Sequence, residues 1–69
     1  MQPYPEGTLL KIEKLTTASG MVDITKENMY GYVTGWWTGA GGVPYYYVYL
    51  FPTDKKHITN HHYVSAVTG

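Results

Sequence analysis

The chain has no cysteine and no arginine, and it is sparing with charge of either sign. Each shortage excludes something. Without cysteine there is no disulfide to brace a small domain and no thiolate to hold zinc, as fits a cytosolic protein. Without arginine, no side chain forks onto a phosphate or a guanine edge. Five lysines face five acidic residues, leaving zero net charge with the histidines neutral. The basic surplus of a phosphate-backbone binder is therefore missing. Charged residues make up 14% of the chain, against about 25% in an average soluble domain. So lightly charged a surface favours association, with a protein partner or with copies of the same chain, over nucleic acid. No apolar run approaches the roughly 18 residues of a membrane span. The start, Met1-Gln2-Pro3-Tyr4-Pro5-Glu6, lacks the basic and apolar stretches of a signal peptide. These features predict a soluble, cytoplasmic protein with no membrane partner.

Helical periodicity is scarce as well. Only Thr25-Lys26-Glu27-Asn28 reads as a helical turn, with Thr25 as its cap, and it is too short to stand alone. What the chain has instead is eight tyrosines, two tryptophans and eight glycines. Its β-branched and aromatic residues fall in short runs broken by glycine and proline, the pattern of an all-β sandwich or barrel. Sixty-nine residues make one domain, 1–69, with a thin core.

Five runs read as strands. The first is Thr8–Leu15, with Leu10 and Ile12 on one face and Lys11 and Glu13 on the other. A long first loop follows from Thr16, with Met21–Thr25 as a short strand or an ordered arm of it. The second run is Met29–Trp37. Strict alternation puts Met29, Gly31, Val33, Gly35 and Trp37 on one face, and Tyr30, Tyr32, Thr34 and Trp36 on the other. Two glycines on one face predict strong curvature. A flexible glycine-rich tip, Thr38–Gly42, leads into Val43–Phe51, where Tyr46, Val48 and Leu50 oppose Tyr45, Tyr47, Tyr49 and Phe51. Pro52–Lys55 reads as a turn, Lys56–Thr59 as a short strand buried by Ile58, and Asn60–Tyr63 as a 3₁₀ turn before the final strand Val64–Val67.

The opening strand, the Tyr30–Trp37 and Tyr45–Phe51 hairpin and the His57–Val67 finish resemble, in order and patterning, the small five-stranded SH3-like barrel shared by SH3, Tudor, KOW and Sm-like domains. The expected fold is that barrel, with a long first loop and a short 3₁₀ turn before the last strand. The chain departs from peptide-binding SH3 domains in lacking their acidic loop stretch and Ala-Leu-Tyr-Asp-like signature, and it does not match the Sm signature. No functional residue is carried over from these families. In style the chain also resembles short proteins of tailed bacteriophages and marine microbes, which implies a virion-associated location as the alternative to the cytoplasm.

The functional candidate is an aromatic stripe. Tyr30, Tyr32 and Trp36 from one strand, beside Tyr45, Tyr47 and Tyr49 from the next, predict a ladder across one sheet face. Leu10, Ile12, Val33, Val48, Leu50 and Ile58 supply the core on the opposite face. The stripe is therefore either covered by the long loop at 16–28 or left open as an interface of the kind large apolar patches mark. Stacking of single-stranded nucleic acid on it is the alternative use, and that normally needs a positive groove alongside. His57, His61 and His62 match zinc in number. Adjacent residues on extended backbone diverge, however, so they read as surface or turn histidines and the expectation is no metal and no cofactor. Gly39-Ala40-Gly41-Gly42 lacks the Lys-Ser/Thr and the helix of a phosphate loop. The carboxylates are dispersed, and Ser19 and Ser65 stand in no nucleophile context. No small-molecule substrate is indicated. The sequence reads as a non-catalytic interaction or assembly module.

Overall fold

In the computed structural model, residues 2–51 and 55–67 are described, with residues 23–28 described by their backbone alone. The protein is all-β: β1 (Leu9–Thr16), β2 (Val22–Thr38), β3 (Pro44–Leu50), β4 (Lys55–Asn60) and β5 (Val64–Ala66), all antiparallel in one sheet. 3₁₀ turns at Ala40–Gly42 and His61–Tyr63 precede β3 and β5. Among the described residues there is no α-helix, and no helix long and apolar enough to cross a membrane. The turn expected at Pro52–Lys55 falls mostly outside the described residues.

Strand order is β2-β3-β4-β1-β5, and β1 also pairs with β2. The sheet thus curls into a ring, closed between β1 and β4 by the single rung Thr16–Ile58, with β5 laid against β1 at Leu10–Ile12. Thr59 Oγ1 donates to the Lys14 carbonyl at 2.7 Å across that seam. Inside the ring, Leu10, Ile12, Leu15, Met29, Val33, Tyr46, Val48 and Leu50 form one buried cluster. At about 25 cal/mol per Å² of apolar area removed from water, this interior supplies most of the driving force for folding.

Four expectations are corrected by the register. The loop expected at 16–28 is shorter: Met21–Thr25 takes the strand alternative from Val22 on, with Lys14 facing Thr25, Leu15 facing Ile24 and Thr16 facing Val22, leaving only a short turn at 17–21. Thr25–Asn28 accordingly lies within β2 and forms no helical turn, with Thr25, its expected cap, paired to Lys14 of β1. Within β4, Ile58 is half-buried beside Tyr47, whereas Thr59 packs inward opposite Tyr46 and is fully buried. The fourth correction bears on the aromatic stripe. Val33 pairs with Val48 but Gly35 pairs with Tyr47, so Thr34 is an extra residue on β2. Such a bulge reverses which face each later residue occupies. Beyond it Trp36 lies opposite the buried Tyr46, and Trp37 lies opposite Tyr45. Gly31 and Gly35 consequently sit on opposite faces, Gly31 inside against Leu50 and Gly35 outside against Tyr47.

Candidate functional site

The outer face of β2 and β3 carries two aromatic clusters. In one, the Tyr32 ring lies 5.4 Å from that of Tyr49 and 6.0 Å from that of Phe51. In the other, Trp37 lies 5.2 Å from Tyr45 and 4.7 Å from Tyr47. Every pair is tilted by 31–42°, within the geometries that aromatic quadrupoles favour. Gly35, opposite Tyr47, puts no side chain between the clusters, and a Cβ there would lie 3.5 Å from the Tyr47 ring. Thr34, the bulge residue, donates its hydroxyl to the Tyr47 carbonyl at 3.2 Å, tying β2 to β3 where the ladder is disrupted.

Of the six residues proposed for the stripe, Tyr32, Tyr45, Tyr47 and Tyr49 take part in these clusters or pair directly across from their members. Tyr30 lies on the same outer face, opposite Lys11 of β1. Trp36 does not belong; Trp37 replaces it, a substitution that follows from the bulge and from no local feature of the Trp36-Trp37 pair. Cover is uneven along the stripe. At one end Tyr45 is buried beneath the two turns: a Cβ at Gly20 would strike its hydroxyl, and one at Gly39 would strike its ring. Further along, Tyr30, Tyr47 and Phe51 are 37%, 45% and 51% exposed. The 17–21 turn thus covers only the Tyr45 end.

The histidines do not converge. Among the described residues, no group of three His, Cys, Asp or Glu side chains is placed to hold a metal ion. His57 stands on β4 opposite Val48. Asn60 caps the following 3₁₀ turn, its Oδ1 accepting the His62 amide at 2.9 Å. That cap turns His61 inward, where its Nδ1 meets the Tyr46 hydroxyl at 2.6 Å. The same hydroxyl accepts the Tyr4 backbone N–H at 3.0 Å. Tyr4 stacks on the His61 ring at 5.1 Å and 22°, and packs against the core cluster. Burial pushes the Tyr46 hydroxyl above its usual pKa, against a lowering by the Tyr4 N–H. Burial also holds His61 below the usual histidine value, with repulsion from His62 adding to it. Sequence reasoning does not find this group, because its members are 42 and 15 residues apart and no local pattern joins them.

No protein-family model, curated protein or solved structure matches the chain, so function is argued from this geometry.

Proposed function

We propose that the protein is a non-catalytic interaction and assembly module whose outer aromatic sheet face takes a protein surface, in the first instance that of a second copy. The observation that carries the reading is the exposure of Tyr30, Tyr47 and Phe51 on a face whose opposite side already holds the whole core. Large aromatics left open together are characteristic of interfaces. An aromatic side chain buries about 150–250 Å². The exposed fractions of these three residues therefore offer roughly 250 Å², with the half-buried Tyr32, Tyr49 and Trp37 around them. A standard interface needs about 800 Å² per partner, so the face by itself supports weak, reversible association. Zero net charge leaves little long-range repulsion to oppose it.

Base stacking on the same face draws on Lys11 opposite Tyr30 and Lys56 opposite Tyr49. Two lysines on a chain without net positive charge make it the weaker reading. Light scattering during size exclusion, from about 10 μM to about 1 mM to span weak dissociation constants, tests the preferred one. Apparent mass rises with concentration for the natural chain and stays monomeric for a Tyr47→Ser, Phe51→Ser double variant with an unchanged circular dichroism spectrum. A natural chain that is strictly monomeric at the upper limit, or a double variant that associates equally, overturns it.

A further inference from the structure

The second organised cluster lies away from the aromatic face and concerns the N-terminal segment. Residues 2–6 form a strap whose Tyr4 packs against the core cluster. Its hinge is the turn Pro5–Thr8, in which the Thr8 N–H and Oγ1 both bond the Pro5 carbonyl, at 3.2 and 2.7 Å. Gly7 adopts a φ of +87° in the third position of this turn, where glycine is the residue that fits without strain. The chain is fixed after the hinge, because Gly7 N–H bonds the Val33 carbonyl at 2.7 Å and Val33 N–H bonds the Thr8 carbonyl at 3.0 Å. Before the hinge, the hydrogen bonds and ring contacts of Tyr4 all run to Tyr46 and His61.

We propose that this strap is an acid-released plug: neutral His61, acting through the Tyr46 hydroxyl, holds Tyr4 over the end of the core, and protonation of His61 lets the segment 2–6 swing out. The argument is one of donors and acceptors. A phenol has one proton to give and lone pairs to receive. With Nδ1 of His61 bare, the Tyr46 proton goes to it and the Tyr46 oxygen stays open to the Tyr4 N–H. Imidazolium carries protons on both nitrogens. Nδ1–H and the Tyr4 N–H then both point at the Tyr46 oxygen, whose own proton has lost its acceptor, and a stranded buried polar group is costly.

Among the described residues, the groups in contact with His61 offer no compensating negative charge, and the N-terminal amine adds a further repulsion. Tyr4 comes from the strap, Tyr46 from β3 and His62 from its own turn. Lys14 of β1 lies over the neighbouring Tyr63 ring at 5.2 Å. None of these is an anion. Stacking of imidazolium on the Tyr4 ring is the opposing effect, since a cation over an aromatic face is attracted to it. Desolvation of the charged ring and repulsion from His62 work against that attraction. A base that the fold makes harder to protonate contributes stability above its ordinary pKa of 6.5, and that contribution disappears as pH falls through the folded value.

Nuclear magnetic resonance on the full chain decides the matter. The Tyr4 amide and the His61 ring are followed from about pH 7.5 to about pH 5, across the usual histidine range, with the Val33 and Val48 amides as monitors of the intact sheet. Protection of the Tyr4 amide, corrected for intrinsic exchange, falls at least tenfold in step with His61 titration while Val33 and Val48 stay protected. In Tyr46→Phe the Tyr4 amide is unprotected at every pH. In His61→Gln its protection no longer depends on pH, whereas His57→Gln and His62→Gln keep the dependence. Tyr4 protection that holds or rises as His61 charges, a dependence that survives in His61→Gln, or a His61 that stays neutral until the whole sheet unfolds overturns the proposal.

Discussion

Gly31→Ala adds a single methyl group at the most constrained point of the sheet. Gly31 lies between Leu10 of β1 and Leu50 of β3, paired on both sides. The new Cβ would run into the Tyr49 carbonyl oxygen, with the Tyr49 carbonyl carbon at 3.1 Å and the Leu50 Cα at 3.3 Å. All three are backbone atoms, and β3 cannot yield by rotating a side chain. Nor can it slide away, because Tyr49 and Leu50 are held on their far side by Lys56 and Lys55 of β4. Removing a glycine from a strand should by itself stabilise by about 0.5–1 kcal/mol. Overpacking of this kind costs about 1–3 kcal/mol, and contacts made wholly with backbone put it in the upper half of that range, so the clash wins and the net loss is about 1–2.5 kcal/mol. In a domain of this size, that lowers the melting temperature by roughly 4–20 °C. Gly35→Ala is the internal control, since its Cβ would meet only the Tyr47 ring, at an ordinary 3.5 Å. It should be neutral or stabilising by up to about 1 kcal/mol. Urea unfolding followed by tryptophan fluorescence, with thermal melts by circular dichroism, measures both variants. A Gly31→Ala protein as stable as the natural one, or no less stable than Gly35→Ala, refutes the reasoning.

Two further expectations rest on packing. Trp37 holds two ring contacts at 4.7 and 5.2 Å while Trp36 holds none among the described residues. At about 0.5–1.5 kcal/mol per aromatic pair, Trp37→Ala should destabilise by about 1–3 kcal/mol more than Trp36→Ala, and equal losses in denaturant melts would count against the bulge register. Thr16 is 4% exposed and its Oγ1 finds no partner among the described residues. Thr16→Val, which keeps the shape and removes the stranded hydroxyl, should raise stability by about 1 kcal/mol; a loss in the same melts would contradict that assignment.

The parts of this fold legible in sequence are those governed by a period of two. Leu10 with Ile12, Met29 with Val33, and Tyr46 with Val48 and Leu50 are all buried as alternation predicts. The fold class and the 3₁₀ turn before the last strand follow from the same patterns and their punctuation. Alternation fails where the strands depart from regular pairing. Gly35 is the kind of residue that marks a bulge or a bend, but nothing in Thr34-Gly35-Trp36-Trp37 fixes the extra residue that brings Trp37 onto the stripe and leaves Trp36 off it, 45% exposed, because a bulge is a property of two paired strands. The continuation of β2 through Lys26–Asn28 is not legible for a related reason: three polar residues carry no alternation, and they lie at a register shift between the pairs Lys14–Thr25 and Ile12–Met29. Ile58 misled by its hydrophobicity, while Thr59 earns its interior place by the bond to the Lys14 carbonyl. The Tyr4–Tyr46–His61 group is a long-range coincidence of a folded surface, and single-chain patterns do not encode such meetings.

The closing rung between Thr16 and Ile58 gives this ring the mechanics of a split collar. Every other line around it is held by several paired residues, but the β1–β4 seam has one, with the Thr59 hydroxyl as its rivet. Parting there breaks fewer backbone hydrogen bonds than parting anywhere else, so that is where thermal motion first admits water. An opening at that line leaves the β1–β2–β3–β4 ribbon whole and uncurls it as a single curved sheet, without dismantling any hairpin. The barrel's compliance is thereby concentrated along one known line, and the tyrosine ladders on β2 and β3 ride on the stiff side of it.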